Sequence, residues 1–339
     1  MSIRTLTSAL RATAATVLLS ALSLAGGAGW VADYDEAVKL AKAEKKDLFV
    51  DFTGSDWCGW CIKLNEEVFA HDAFLNEIKK DYILVALDYP RGEEAKKKVP
   101  NEKRNAELSK LHGIQGFPTI LLMTPDGVAY GQTGYQKGGP EAYVTHVKEL
   151  RTKGRADVDR YRGIADAWRA ATGDAKGTAW DELAKTFEAD QANSRAATVL
   201  VGPIQEALTF DADNKQGRKL RALQVLLAAG RADEAMIAAA RALDPKNEKG
   251  LLERVVMAQF ESVQNDELAR AALTELDQLV AHGPRKDKKI DFMLHVNAAY
   301  FCSGPLQEPE RAKKYAKVAK EIGSDDERAM QLVEQILGS

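Results

Sequence analysis

The most informative part of the chain is the stretch Asp51-Phe-Thr-Gly-Ser-Asp-Trp-Cys-Gly-Trp-Cys-Ile-Lys63, which contains two cysteines separated by two residues. Residues 48–52 are mostly apolar and predict a buried strand. Residues 62–69 have apolar side chains at helical spacing. Cys58 and Cys61 are therefore predicted to lie where a strand ends and a helix begins.

This position favours a reactive cysteine. The amide groups in the first turn of a helix have no partners within the helix, and the aligned peptide dipoles place partial positive charge there. Both effects stabilise a thiolate, which is the form that attacks a disulfide. Cys58 is therefore predicted to be the nucleophile, and Cys61, one turn further along, to resolve the mixed disulfide that forms.

A Cys-x-x-Cys pair has other uses, which the rest of the sequence favours less. A structural zinc site needs four ligands, and the chain offers one further cysteine, Cys302, with no second cysteine pair. We therefore expect no metal and no other cofactor. A purely structural disulfide remains an alternative, although so short a loop removes little chain entropy. Cys302 is predicted to be a buried, small apolar side chain.

Two tryptophans, Trp57 and Trp60, lie next to the cysteines in sequence. They are either core residues or the frame of an exposed apolar patch around the sulfurs. The second alternative is favoured, and it predicts a surface on which an unfolded or partner chain docks.

Charge and composition limit the classes of partner. The 339 residues include 47 Lys and Arg against 50 Asp and Glu, so no basic excess indicates binding to nucleic acid or to an anionic membrane surface. The length is sufficient for two domains.

Residues 1–28 differ from the rest of the chain. Arg4 and Arg11 precede an apolar stretch at residues 12–25, and small residues follow up to Ala28. This pattern predicts a secretory signal peptide, with an uncleaved anchor as the alternative. It implies a periplasmic or secreted protein without a membrane span after the signal is removed.

The next part of the chain alternates helical and strand patterns. A one-sided helix precedes the first strand, and residues 82–87 predict a second buried strand. Residues 88–110 are polar and predict a surface insertion that ends in a helix at residues 105–111. The turn sequence Thr124-Pro-Asp-Gly127 joins two strands of a hairpin, and residues 141–150 predict a final helix.

This order of elements resembles the thioredoxin superfamily over residues 30–150. Trp57-Cys-Gly-Trp-Cys61 is similar to the superfamily motif Trp-Cys-Gly-x-Cys, and Gly116-Phe-Pro-Thr119 is similar to its second element. The resemblance implies an α/β fold with a central mixed sheet flanked by helices. The Gly-Ser-Asp approach to the cysteines is most similar to secreted and periplasmic members.

The resemblance also implies roles for individual residues. Cys58 and Cys61 would form a redox-active disulfide, and the bond before Pro118 would be cis. Phe117 would offer its backbone to an extended substrate chain, with Trp57 and Trp60 beside it.

Two departures from the superfamily pattern concern Trp60 and Asp51. Many relatives have Pro or His where Trp60 stands, and that position influences the reduction potential. Asp51 lies near the place of a buried acid that accepts the proton of the second cysteine, while the lysine paired with that acid is replaced by an apolar residue near Leu84. Asp51 is therefore either a proton acceptor or a structural residue.

The second half of the chain, residues 153–339, predicts a separate helical domain after the thioredoxin-like residues 29–152. Residues 226–245 resemble half of a tetratricopeptide unit, and further turns are predicted near Asn265 and Gly304. Arrays of helical hairpins build surfaces for peptides or proteins. The alternative is a helical cap that only stabilises the first domain or a dimer.

Two functions follow from these patterns. The first is an exported thiol–disulfide oxidoreductase that acts on protein disulfides and dithiols and exchanges electrons with a redox partner protein. The second is an interaction or assembly protein, in which the helical repeats are the functional part and the redox pair is sensory or vestigial. The reductase or isomerase direction is left open, because it depends on the relative stability of dithiol and disulfide.

Overall fold

Strand β2, Asp47–Thr53, is the centre of the first part of the structure, and all of its residues are buried. A strand covered on both faces has a continuous apolar run instead of an alternating one, which explains the pattern seen in the sequence. β2 pairs in parallel with β3, Tyr82–Asp88, and antiparallel with β4, Thr119–Met123. The predicted mixed sheet is confirmed.

A computed structural model describes residues 29–338 apart from residues 192, 193, 232 and 284. The predicted signal peptide, residues 1–28, lies outside the described residues. The chain divides into two compact units, and the division falls after Thr152.

The first unit contains a five-stranded sheet in the order β1-β3-β2-β4-β5, where β1 is Trp30–Val31 and β5 is Ala129–Thr133. Its helices are α1, Tyr34–Glu44; α2, Gly59–Leu64, which continues as a π-helical turn, Asn65–Phe69; α3, Asp72–Asp81; α4, Glu93–Lys96; α5, Glu102–Leu111; and the start of α6, Gly139–Ala170.

Each face of the sheet has its own apolar layer. One face packs against residues of α1 and α5, including Ala37 and Leu108. The other face carries six aromatic side chains whose ring centroids lie 4.9 to 6.1 Å from their neighbours. These six are Trp30, Phe49, Phe69, Phe74, Tyr82 and Tyr143. The two layers explain why both faces of β2 are apolar.

Several boundaries differ from the sequence predictions. The insertion contains α4 as well as α5, and α5 begins at Glu102 because Asn101 caps it by accepting a hydrogen bond from the Arg104 amide at 3.3 Å. The final helix was predicted at residues 141–150, but α6 continues to Ala170. No proline interrupts that stretch, so nothing local ends the helix earlier.

The second unit is helical throughout its described residues, as predicted. After the end of α6 it contains α7, Gly173–Asp190; a 3₁₀ helix, Arg195–Leu200; α8, Val201–Phe210; α9, Arg218–Ala228; α10, Glu234–Leu243; α11, Leu251–Glu261; α12, Asp266–Ala281; α13, Lys288–Ser303; α14, Pro309–Ile322; and α15, Glu327–Gly338. Asn265 caps α12 by accepting a hydrogen bond from the Leu268 amide, so the turn predicted there is confirmed.

Two loops of this unit have the same structure 33 residues apart, which the sequence analysis missed. Both have the sequence Asp-x-x-Asn-x-x-Gly. Their equivalent residues are Asp211 and Asp244, Asn214 and Asn247, and Gly217 and Gly250. Both asparagines have a left-handed backbone, with φ of 53° and 56°, and both glycines have φ of 75°. The helical unit therefore contains an internal repeat, although its assignment to the tetratricopeptide class stays a prediction.

In each loop the aspartate carboxylate joins the end of one helix to the start of the next. Asp244 is 1% exposed and accepts hydrogen bonds from the Lys249 amide at 3.1 and 3.0 Å and from the Leu251 amide at 2.9 Å. Asp211 accepts equivalent bonds from the amides of Gln216 and Arg218. The aspartate thus satisfies backbone donors that the helix N-terminus leaves free.

None of the helices in the described part of the chain is long and apolar enough to cross a bilayer.

We infer that the two units are separate domains, and Asp244→Ala tests this. Loss of its buried hydrogen bonds should lower the stability of the helical unit by about 2 kcal/mol, while the reduction potential of the Cys58–Cys61 pair stays at its wild-type value. Hydrogen exchange of peptides from residues 218–261 measures the first effect. Glu248→Ala, an exposed carboxylate of the same loop, is the control. A changed potential in Asp244→Ala would show that the units are coupled.

Candidate redox site

Cys58 and Cys61 form a disulfide with an S–S distance of 2.11 Å. Cys58 is the N-cap of α2, and its Sγ accepts a hydrogen bond from the Cys61 amide at 3.2 Å. The Cys58 amide donates to the Gly54 carbonyl at 2.9 Å. The two cysteines therefore lie at the strand-to-helix junction that the apolar pattern predicts.

The cysteines are nearly buried, whereas the neighbouring tryptophans are not. Cys58 and Cys61 are 6% and 5% exposed, against 36% for Trp57 and 57% for Trp60. The Trp60 ring lies 5.1 Å from the ring of Tyr135. The disulfide thus lies among exposed aromatic surface, which is the second of the two alternatives for the tryptophans.

The predicted proline element lies on the Trp57 side of the site. The Phe117–Pro118 bond is cis, as predicted. Thr119 pairs with Phe52 in the register of β4 and β2. The Phe117 ring packs edge-on against Trp57 with the centroids 5.8 Å apart. The structure therefore brings together the cysteine motif and an element about 60 residues away in sequence.

Residues 88–92, which the sequence analysis treated only as the start of an insertion, hold the loop ahead of Cys58. Asp88 accepts hydrogen bonds from the amide and hydroxyl of Ser55 at 2.9 and 2.6 Å. The carbonyl of Tyr89 accepts a hydrogen bond from Trp57 Nε1 at 2.8 Å. The Tyr89 ring stacks on Phe117, with the centroids 5.0 Å apart. Tyr89 therefore contacts both Trp57, next to Cys58, and Phe117, next to the cis proline.

A second set of contacts joins the same two segments. The Asp56 carboxylate accepts hydrogen bonds from the amides of Arg91, at 3.0 and 3.2 Å, and Gly92, at 2.7 Å. These amide hydrogen bonds hold the pKa of Asp56 below its ordinary value. The only local signal for this arrangement is the turn-forming sequence Pro90-Arg-Gly92, which does not reveal its partner.

Asp51 lies in the middle of β2 and is 7% exposed. Among the described residues its Oδ1 has no hydrogen-bond partner. Burial, and then the charge of Asp88, raise the pKa of Asp51 to about 8. A carboxyl group with this pKa can take up and release a proton near neutral pH.

The strand neighbour of Asp51 is Ala86, since the register pairs Leu84 with Phe49. The residue beside Asp51 on β3 is therefore apolar, and it lies two residues from Leu84, near which the sequence predicts an apolar residue instead of the partner lysine. The absence of a cation in this register position agrees with the raised pKa of Asp51.

Within the described residues, a metal site and Cys302 were the other candidates for a functional site. Within the described part of the chain, no three His, Cys, Asp or Glu side chains are grouped to hold a metal ion. Cys302 lies on α13 with 0% exposure, and burial raises the pKa of its thiol to about 11. Its prediction as a buried side chain is confirmed.

Comparison with known proteins identifies the first unit. Residues 34–148 match the family model of a thioredoxin-like domain. Over 117 residues the chain is 33% identical to disulfide bond reductase DsbH from Chlamydia pneumoniae, an alignment that covers 34% of this chain and 68% of the relative. The chain belongs to the thioredoxin superfamily.

A second relative and one solved structure are also similar to this chain. The thioredoxin-related protein DsbJ, also from Chlamydia pneumoniae, is 27% identical over 95 residues, which cover 28% of this chain and 27% of DsbJ. A solved structure of a DsbH oxidoreductase is 28% identical, covers 42% of this chain and 94% of its own, and has a TM-score of 0.32. Superfamily membership and the bonded Cys58–Cys61 pair support a redox role for this protein.

The raised pKa of Asp51 predicts a specific pH dependence of stability. Below about pH 4 the carboxyl group is protonated in both folded and unfolded chains, and from there to about pH 8 only the folded chain keeps the proton. The free energy of unfolding should therefore fall as the pH rises through this window. Asp51→Asn removes this pH dependence. The free energy of unfolding of the variant should therefore exceed that of the wild type by a margin that grows to a few kcal/mol at about pH 8.

Urea unfolding of the oxidised proteins at about pH 5 and about pH 8 measures this difference. Asp72→Asn, which changes an exposed carboxylate of the same unit, is the control and should behave as the wild type at both values. The assigned pKa would be contradicted if the free energies of unfolding of Asp51→Asn and the wild type differed by the same amount at both pH values.

Proposed function

We propose that this protein is an exported thiol–disulfide oxidoreductase that exchanges electrons with protein disulfides through Cys58 and Cys61. The observation that carries the proposal is the disulfide at the N-cap of α2, which is nearly buried but whose two cysteines each follow an exposed tryptophan in sequence, Trp57 and Trp60. The 33% identity to a protein named disulfide bond reductase supports the reducing direction.

In that direction the reaction begins with the dithiol form. The Cys58 thiolate attacks one sulfur of the substrate disulfide, the substrate S–S bond breaks, and a bond forms between Cys58 and the substrate. The departing substrate thiolate takes a proton from water. The amide of Cys61, which donates to Cys58 Sγ in the disulfide form, is placed to stabilise the thiolate.

Cys61 completes the exchange. It loses its proton, its thiolate attacks Cys58 Sγ, and the second substrate sulfur leaves and is protonated. The products are the Cys58–Cys61 disulfide and a substrate dithiol, so two electrons have passed to the substrate. A dithiol partner protein then reduces the disulfide again. Asp51 is proposed as the acceptor of the Cys61 proton, for which a pKa of about 8 is suitable.

The substrate chain is proposed to bind along Phe117 and Pro118. The backbone of Phe117 offers a short β-type pairing to an extended chain, while the rings of Trp57 and Trp60 contact its apolar side chains. Both tryptophan rings are exposed enough for this contact. The repeated helical hairpins of the second unit are proposed to bind a partner protein, because stacked repeats present an extended surface.

Cysteine variants test the chemistry. Cys58→Ser should lower the rate of insulin disulfide reduction at least about 100-fold, since the nucleophile is lost. Cys61→Ser should accumulate a mixed disulfide with the substrate, detectable by mass spectrometry, and Asp51→Asn should slow the decay of the same species. Cys302→Ala is the control with unchanged activity. Equal activity of Cys58→Ser and the wild type would exclude this mechanism.

The reducing direction is tested by a separate measurement, the reduction potential of the cysteine pair. Equilibration with glutathione buffers should give a reduction potential for Cys58–Cys61 below about −230 mV, closer to thioredoxin than to oxidases such as DsbA. A value of about −120 mV would show that the protein oxidises its substrates instead.

Export is tested by expressing the full chain in a Gram-negative host and separating periplasm from cytosol. The protein should be recovered from the periplasm, with a mature N-terminus near Gly29, because residues 1–28 are predicted to be a secretory signal. Deletion of residues 5–25 should leave the protein in the cytosol. An unprocessed chain recovered with the membrane would support the anchor alternative instead.

A further inference from the structure

Arg91 lies against the tryptophan that precedes the nucleophilic cysteine. Its guanidinium carbon is 4.0 Å from the centroid of the Trp57 ring, and the residue is exposed. A guanidinium over an indole face is held by cation–π attraction. Arg91 is therefore part of the surface next to Cys58 although it follows Cys58 by 33 residues.

Hydrogen bonds fix the position of both the ring and the arginine. The Arg91 amide donates to Asp56, and Trp57 Nε1 donates to the Tyr89 carbonyl. The ring also lies so close to Gly54 that a Cβ atom there would be 2.7 Å from it. A substrate would consequently meet Arg91 in a preformed position, which reduces the entropy lost on binding.

Among the described residues, the Arg91 guanidinium has no hydrogen bond or ion pair, so its donors are available. Its charge attracts the Asp56 carboxylate without a hydrogen bond between the two side chains. The nearby Asp56 carboxylate is already hydrogen-bonded to two backbone amides. By contrast, Lys63, which follows Cys61 by two residues, has its Nζ 3.7 Å from Oε1 of Glu67. Stacking uses the face of the guanidinium and leaves its in-plane N–H groups for a carboxylate.

Arg91 is also within reach of a substrate that is bound at Phe117. Both side chains contact the Trp57 ring, so they lie within about 10 Å of each other. An extended chain covers this distance in about three residues. A substrate paired with the Phe117 backbone would thus place a side chain near Arg91 within about three residues of the residue that pairs with Phe117.

We propose that Arg91 is a specificity-determining residue that binds an aspartate or glutamate of the substrate chain close to its disulfide. The preferred substrates are then protein disulfides flanked by acidic residues. This inference rests on the proposed function, since it assigns a substrate class to the same site.

The test uses the full-length protein in its reduced form as the sole reductant. Three peptides with an intramolecular disulfide differ only in a Glu, Gln or Lys placed three residues from one cysteine. The second-order rate constant for each is measured by acid quenching, alkylation of the newly formed peptide thiols and mass spectrometry of the peptide. The wild type should react about 3- to 10-fold faster with the Glu peptide than with the Gln peptide, as expected for one charge-assisted hydrogen bond at an exposed site. The Lys peptide should be slowest.

Arg91→Gln should bring the Glu-to-Gln ratio to about 1. Arg91→Lys keeps the charge without the planar donors and should give an intermediate ratio. Lys97→Gln, which removes an exposed cation of the same insertion that pairs with Glu94 at 2.6 Å, is the matched control and should keep the wild-type ratio. Circular dichroism confirms that each variant is folded.

Failure of the inference and of the proposed function give different results. A wild type that reduces the Glu and Gln peptides equally well, or an Arg91→Gln variant that keeps the wild-type ratio, overturns the role of Arg91 and leaves the oxidoreductase in place. A reduced wild type that reacts with none of the three peptides overturns the proposed function and this inference with it.

Discussion

The burial of β2 on both faces and its pairing on both edges is the constraint on which the redox site depends. β2 and β3 are parallel and end together, with Thr53 opposite Asp88. The antiparallel β4 starts at the same end of the sheet, with Thr119 opposite Phe52. Three segments therefore leave the sheet side by side. They are the loop into the cysteine helix, residues 88–92, and the Phe117–Pro118 element. No local interaction could have gathered them, because they are separated by about 30 residues each.

The same burial has an electrostatic consequence within the sheet. Asp51 is part of the apolar strand and has Ala86 beside it on β3. Its Oδ1 has no hydrogen-bond partner among the described residues, and burial disfavours its charged form. Stability alone would favour an apolar residue at this position, since a buried carboxyl group without partners is destabilising. A polar group that breaks the local pattern at such a cost is typical of functional sites, which supports the proposed role in proton transfer over a purely structural one.

The helical unit has a different organisation. The two Asp-x-x-Asn-x-x-Gly loops show that its helices are joined by a repeated device, in which a buried carboxylate caps the next helix. One apolar cluster contains residues from α11 to α15, such as Leu276, Phe292 and Val333, so these helices bury their apolar sides against one another. Repeats of this kind gain stability from adjacent units, and they leave a surface whose side chains are free to vary.

Elements with local causes can be predicted from the amino-acid sequence. The apolar run of β2, the position of Cys58 at a helix start and the helical character of the second half depend on neighbouring residues, so periodicity and end effects were sufficient to predict them. Only the folded chain establishes the placement of Ala86 beside Asp51, the pKa of Asp51 and the contact of Arg91 with Trp57. Most of these depend on strand register and on the exit of three segments at one edge of a sheet. Such long-range relations follow from how the whole chain packs, and the residues around each position carry no trace of them.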